Sequence, residues 1–93
     1  MPVKPLTDAE AMTVVKESIT RIVPDADFTL VQPDDRFRDV LEFDSLDFLS
    51  FVELLSERTG VRIDEEDYPE LATLSDATRF LVGRSREAAG SGP

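Results

Sequence analysis

The pair Asp44-Ser45 is where this chain could support chemistry, at the head of the run L-E-F-D-S-L-D-F-L-S-F, residues 41–51. A serine nucleophile needs a neighbouring base, and the chain contains no histidine and no cysteine. Hydrolysis by a Ser-His-Asp triad is therefore excluded. A serine hydrolase that uses a carboxylate or a lysine as its base is not formally excluded. Two roles stay open for Ser45. It caps a helix, which contributes about 0.5–2 kcal/mol, or another enzyme modifies its hydroxyl.

Length and composition limit what surrounds this serine. The chain has 93 residues, a net charge of -10 and 41% hydrophobic residues, which predicts one small, soluble folded domain without a large enclosed substrate cavity. The absence of cysteine fits a reducing compartment. No signal-peptide core and no apolar run of membrane-spanning length are present. We therefore expect a cytoplasmic protein.

The negative charge is concentrated in the middle of the chain. Residues 34–70 contain 13 acidic residues against four arginines. Such a field repels nucleic acid and anionic lipid, and it speeds the encounter with basic protein surfaces. We expect no nucleic-acid partner and no membrane insertion. The charge alone also agrees with a solvated face that only keeps the domain soluble.

Helical periodicity predicts three main helices. The first spans residues 7–23, with a capping box at Thr7 and Glu10 and a stop at Pro24. The second spans residues 45–59 and ends at Gly60. The last begins after Thr73, with Asp76 repeating the capping pattern, and is predicted to end near Gly83.

The connections between these helices differ in kind. Residues 24–43 form a long loop with apolar anchors predicted at Phe28, Leu30, Phe37 and Leu41. Residues 64–71 are acidic and contain Pro69, which permits only a short, irregular helix.

The second helix has two distinct faces. At 100° per residue, its core face is Phe48, Phe51, Val52, Leu55 and Thr59. Four residues lie opposite, with Asp47 and Leu49 on the flanks: Leu46, Ser50, Glu53 and Glu57. Leu46 is thus an apolar side chain directed at solvent.

These elements predict an all-α fold, a small four-helix bundle of three main helices and one short irregular helix. A long loop joins helices 1 and 2. We expect an extended N-terminus over residues 1–6, a folded domain over residues 7–84 and a disordered tail over residues 85–93.

With these elements in place, the chain resembles an acyl carrier protein of the free-standing bacterial type. The resemblance covers roughly residues 7–82. It rests on the long loop, on Asp44-Ser45-Leu46 before an acidic amphipathic helix, and on two later stretches, Gly60-Val61-Arg62-Ile63 and Thr73-Leu74-Ser75-Asp76-Ala77. In that family a phosphopantetheinyl transferase attaches 4'-phosphopantetheine, taken from coenzyme A, to the serine. The resemblance assigns this attachment to Ser45, with Asp44 positioning the serine and meeting the transferase.

The resemblance implies a carrier rather than an enzyme, with no catalytic residue and no metal. Its cargo is an acyl or aminoacyl group held as a thioester. The implied partners are the transferase, an acyl-loading ligase or acyltransferase, and downstream enzymes with basic docking patches. A monomer is expected. The implied docking face consists of Leu46, Asp47, Leu49, Glu53 and Glu57.

Three positions depart from the family pattern. Many carriers have a glycine three residues before the serine, where this chain has Glu42. Ser50 stands where fatty-acid carriers commonly have an acidic residue, and Glu53 where an apolar contact is frequent. We therefore expect partners from a specialised lipid, polyketide or peptide pathway. The bulk of Phe48 and Phe51 also predicts a narrow space for an acyl chain between the helices.

Three alternatives compete with the carrier. The first is an unmodified acidic helical interaction module in which Ser45 is only a cap. A calcium-binding protein is suggested by Asp64-Glu65-Glu66-Asp67, but this stretch lacks the alternating ligands and turn glycine of a calcium loop. An enzyme is disfavoured because the chain has no histidine base, no nucleophile pair and no phosphate-binding glycine loop.

Overall fold

The fold is all-α, as the sequence predicts. A computed structural model describes residues 5–90 and contains four α-helices and one 3₁₀ helix. The α-helices are α1 (Asp8–Ile22), α2 (Phe37–Val40), α3 (Ser45–Thr59) and α4 (Leu74–Gly90), and the 3₁₀ helix spans Glu65–Leu71. The prediction of three main helices and one short irregular helix is confirmed, and α2 is an additional single turn inside the long loop.

Helix α1 begins where the capping box predicts. The Glu10 amide donates to the Thr7 hydroxyl, and the Thr7 amide donates to the Glu10 carboxylate, both at 3.1 Å. These bonds satisfy two amide donors that the first turn leaves unpaired. The helix buries Val15 and Ile19 completely. One face of α1 therefore packs against the core, as its periodicity indicates.

The long loop is held down by its apolar residues and by the start of α4. Val31 and Phe37 are buried, and the Ser75 amide donates to the Pro33 carbonyl at 2.9 Å. The prediction that Leu30 is an anchor is wrong, because its side chain is 69% exposed. A turn at Asp27, whose backbone carbonyl accepts from the Leu30 amide at 3.1 Å, brings Val31 inward in its place.

That turn is stabilised by a carboxylate. The hydroxyl and then the backbone amide of Thr29 donate to Asp27, which holds the pKa of the Asp27 carboxyl below its ordinary value. The charged form of Asp27 is therefore the one that the turn stabilises.

Aromatic side chains fill the centre of the bundle beneath the start of α3. The Phe37 ring meets Phe51 and Phe43 edge-on, with centroids 5.2 and 5.7 Å apart. Phe48 packs against Phe51 at 6.1 Å and against Tyr68 of the 3₁₀ helix at 5.3 Å. These contacts connect the long loop, α3 and the 3₁₀ helix through one aromatic cluster.

Helix α4 continues beyond its predicted end. It runs through Gly83 to Gly90, so residues 85–90 are helical and the prediction of a disordered tail is wrong for them. Residues 91–93 lie outside the described part of the chain. Ser85 explains the continuation, because it is fully buried, donates to the Val82 carbonyl and accepts from the Leu6 amide. The N-terminal segment thus packs on α4, although residues 1–4 of the predicted extended N-terminus are also outside the described part.

The 3₁₀ helix is attached to α4 by an ion pair. Asp67 is buried, and its carboxylate accepts from Arg84 at 2.8 Å and from the Asp64 amide at 3.0 Å. This places Asp67, an acidic residue of the supposed calcium stretch, in a structural role.

No helix within residues 5–90 is both long enough and apolar enough to cross a bilayer.

Candidate functional site

At the beginning of α3, the capping residue and the candidate serine are two different residues. The Asp47 amide donates to the Asp44 carboxylate at 2.8 Å, and the Asp44 amide donates to the Asp47 carboxylate at 3.3 Å. Asp44 is therefore the N-cap, and Asp47 completes a capping box. Ser45 is the first helical residue, is exposed, and its hydroxyl makes no hydrogen bond to any other described residue. The fold does not use this hydroxyl.

The backbone just before the site takes an unusual conformation. Glu42 has a φ of 56°, in the left-handed region that glycine adopts without cost. In the family that the sequence resembles, this position is commonly a glycine. The chain therefore keeps the turn into α3 while accepting strain at a non-glycine residue.

The face predicted for docking is exposed. Leu46 and Leu49 are 73% and 43% exposed, respectively. Glu53 and Glu57 are exposed beside them, whereas Asp47 is half-buried because its carboxylate serves the cap. The structure therefore brings two apolar side chains and two available carboxylates together on the outer face of α3. Partner docking at this face stays a prediction.

A groove opens beside Ser45 that the sequence did not reveal. It has a volume of about 640 Å³ and is lined by Ser45 and Leu49 of α3 and by Tyr68 of the 3₁₀ helix. Arg36 and Arg38 bring positive charge to its lining. In the sequence, these arginines indicate only a partial offset of the acidic segment. Their position follows from α2, a single turn that has no amphipathic pattern to predict it.

The described residues offer no metal centre. No group of three or more potential ligands among His, Cys, Asp and Glu is found in the part of the chain that the structure describes. The carboxylates around Ser45 instead cap α3 or point to solvent. What the site presents is an exposed hydroxyl next to a groove.

Comparison with known proteins agrees with this arrangement. The family model described as a phosphopantetheine attachment site matches residues 12–81. The acyl carrier protein of Acidothermus cellulolyticus is 32% identical over 85 residues, which cover 89% of this chain and 98% of that relative. The chain belongs to the acyl carrier protein family. The acyl carrier protein of Solidesulfovibrio magneticus is 33% identical over 76 residues, which cover 78% of this chain and 97% of that relative.

Membership of the acyl carrier protein family identifies the chain as a carrier rather than a catalyst, with 4'-phosphopantetheine as its prosthetic group. The residues present fit such a group. An attachment point must be a nucleophilic atom that a second enzyme can reach, and the Ser45 hydroxyl is exposed and uncommitted. The absence of histidine and cysteine agrees with this role, because the chemistry belongs to the prosthetic group and to partner enzymes.

Proposed function

We propose that this acyl carrier protein holds an acyl or aminoacyl group as a thioester on a 4'-phosphopantetheine arm attached to Ser45, and presents it to partner enzymes. One observation carries the proposal. Asp44 and Asp47 perform the capping of α3, so the neighbouring Ser45 hydroxyl lies exposed and without a structural task. The interaction module in which Ser45 is only a cap loses its main support, because Ser45 is not the cap.

Attachment at Ser45 is chemically simple. The Ser45 oxygen attacks the phosphorus of coenzyme A that bears the pantetheine, a phosphodiester forms, and adenosine 3',5'-bisphosphate leaves. The base that takes the serine proton belongs to the phosphopantetheinyl transferase. The arm supplies a terminal thiol on which acyl groups are carried.

The helix terminus affects the attached phosphate in two opposing ways. The positive end of the α3 dipole favours an anion by about 0.3–1 kcal/mol at an exposed site. The carboxylates of Asp44 and Asp47, on either side of Ser45, oppose it. Asp44 is therefore proposed to act through geometry, by fixing the turn that holds Ser45 outward. A contact between Asp44 and the transferase is part of the same proposal.

Docking is proposed on the outer face of α3. Leu46 and Leu49 supply a small apolar contact, and Asp47, Glu53 and Glu57 surround it with negative charge. Basic patches on loading and downstream enzymes are attracted to such a surface, since electrostatic steering raises the rate of association without a large interface. Rapid exchange suits a monomeric carrier that visits several cytoplasmic enzymes in turn.

The pathway is proposed to be a specialised lipid, polyketide or peptide pathway. Ser50 and Glu53 change both the charge and the apolarity of the docking face from the pattern of fatty-acid carriers. A dedicated set of partners accounts for these changes.

The experiment is the intact mass of three proteins after incubation with coenzyme A and a broad-specificity phosphopantetheinyl transferase. The wild type and Ser50→Ala are expected to gain one 4'-phosphopantetheine each, and Ser45→Ala none. Ser50 is the matched control because it is an exposed serine on the same helix. A gain on Ser45→Ala, or none on any folded protein, would contradict attachment at Ser45.

A further inference from the structure

Two arginines line the groove beside Ser45, although the protein as a whole is strongly negative. Arg36 and Arg38 line it together with Ser45, and Phe43, Phe48 and Tyr68 form its aromatic part. The chain has 20 acidic residues and only ten basic ones. Two of those ten nevertheless line the groove next to Ser45.

Arg38 is held in place without a counter-ion. Its guanidinium lies 4.6 Å from the centroid of the Phe48 ring, and the Phe48 ring in turn makes a T-shaped contact with the Tyr68 ring at 5.3 Å. Within the described residues neither Arg36 nor Arg38 forms an ion pair. Asp39 also lines the groove, but it is paired with neither arginine.

The backbone of α2 adds to this fixed geometry. The Phe43 amide donates to the Arg38 carbonyl at 2.8 Å, and Arg36 forms an isolated backbone bridge with Thr73. Both arginines therefore project from backbone that is fastened to the rest of the bundle. A guanidinium in such a position keeps its donors available for an anion, and it binds phosphate or carboxylate through paired hydrogen bonds.

We infer that Arg38, assisted by Arg36, pairs with an anionic group carried by the arm on Ser45, so that part of the arm or its cargo lies in the groove. The inference rests on the proposed attachment at Ser45. Two groups share the required chemistry. One is the phosphodiester bonded to the Ser45 oxygen, and the other is a carboxylate at the far end of the cargo when the arm folds back.

The test compares four forms of the protein: apo, holo, butyryl-loaded and succinyl-loaded. The loaded forms are made with the transferase from the corresponding coenzyme A thioesters, and their cargoes have equal chain length and differ in the terminal carboxylate. Intact mass first confirms that each arm is attached. The readout is the Nε–Hε resonance of Arg38 in a ¹H–¹⁵N spectrum, with the ³¹P shift of the phosphodiester recorded on the same samples.

A shift of the Arg38 resonance from apo to holo supports the inference and identifies the phosphodiester as the anion. A shift confined to the succinyl form supports it with the cargo carboxylate as the anion. In either case the shift is expected to collapse at salt near 1 M, where the screening length is about 3 Å. No Arg38 shift in any form, or equal shifts in the butyryl and succinyl forms without a shift from apo to holo, would overturn the inference.

Variants separate a specific contact from a general effect of charge. Arg38→Gln is expected to abolish the change that pairing with Arg38 causes in the ³¹P shift of the phosphodiester or in the resonances of the cargo. Arg38→Lys is expected to retain part of that change. Arg86→Gln removes the same charge from an exposed site on α4 outside the groove, so it should leave the spectra unchanged. Equal effects of Arg38→Gln and Arg86→Gln would also overturn the inference. Failure of arm attachment would instead appear in the mass and would count against the proposed function.

Discussion

At the scale of single residues, the turn into α3 divides two tasks between neighbours. Asp44 satisfies the first-turn amides and Ser45 is left exposed. The sequence predicted the helix start and singled out both residues, because aspartate and serine are both strong caps. It could not decide which of them caps, since that depends on where the backbone enters the helix. Glu42 contributes to that entry through its left-handed conformation.

Replacement of Glu42 tests the strain at this turn. In the left-handed conformation a residue with a Cβ is destabilised by about 1–2 kcal/mol. Glycine avoids this cost, but it lowers stability by about 0.4–1 kcal/mol because it is more flexible in the unfolded chain. Glu42→Gly is therefore expected to raise the free energy of unfolding by up to about 1.6 kcal/mol relative to Glu42→Ala. Urea unfolding of both variants measures the difference. A glycine variant less stable than the alanine variant would mean that the turn is not strained.

At the scale of elements, the periodic helices were predictable and the contacts between elements were not. Helix α3 begins and ends where its capping and Gly60 predict. Helix α4 does not end at Gly83, because burial of Val82 and Ser85 on either side offsets the cost of about 1 kcal/mol for a glycine within a helix. The groove was missed for a related reason. It forms from α2, α3 and the 3₁₀ helix, which only the tertiary fold brings together.

Two glycine substitutions test where α3 ends and where α4 continues. Gly83 is helical, and a Cβ added there would meet nothing within 4 Å. Gly83→Ala is therefore expected to stabilise the protein by about 0.5–1 kcal/mol. Gly60 has a φ of 73° at the end of α3, so Gly60→Ala is expected to destabilise it by about 1 kcal/mol. Thermal unfolding of both variants provides the comparison, and a loss of stability in Gly83→Ala would mean that the helix ends there.

At the scale of the whole molecule, charge affects stability and underlies the proposed docking. The described residues form four ion pairs, whereas the chain carries 20 acidic residues. Within residues 5–90, most carboxylates have no ion-pair partner, and like charges repel one another. This repulsion opposes folding, and it comes from the same surface that we propose attracts basic partner enzymes.

Salt tests this balance directly. Added sodium chloride screens the repulsion between exposed carboxylates, and it screens the few ion pairs as well. Because the net charge of -10 makes repulsion the larger effect, the melting temperature is expected to rise with salt. For a domain of this size each kcal/mol corresponds to about 4–8 °C. A melting temperature that falls as salt is added would show that the ion pairs dominate.

The measurement that tests the central claim most directly is the fragmentation of the intact, modified protein in a mass spectrometer. The account predicts that N-terminal fragments ending before Ser45 have unmodified masses, and that fragments including Ser45 carry one 4'-phosphopantetheine. The mass increment appearing first at another residue, or an unmodified chain after treatment with coenzyme A and transferase, would contradict the account.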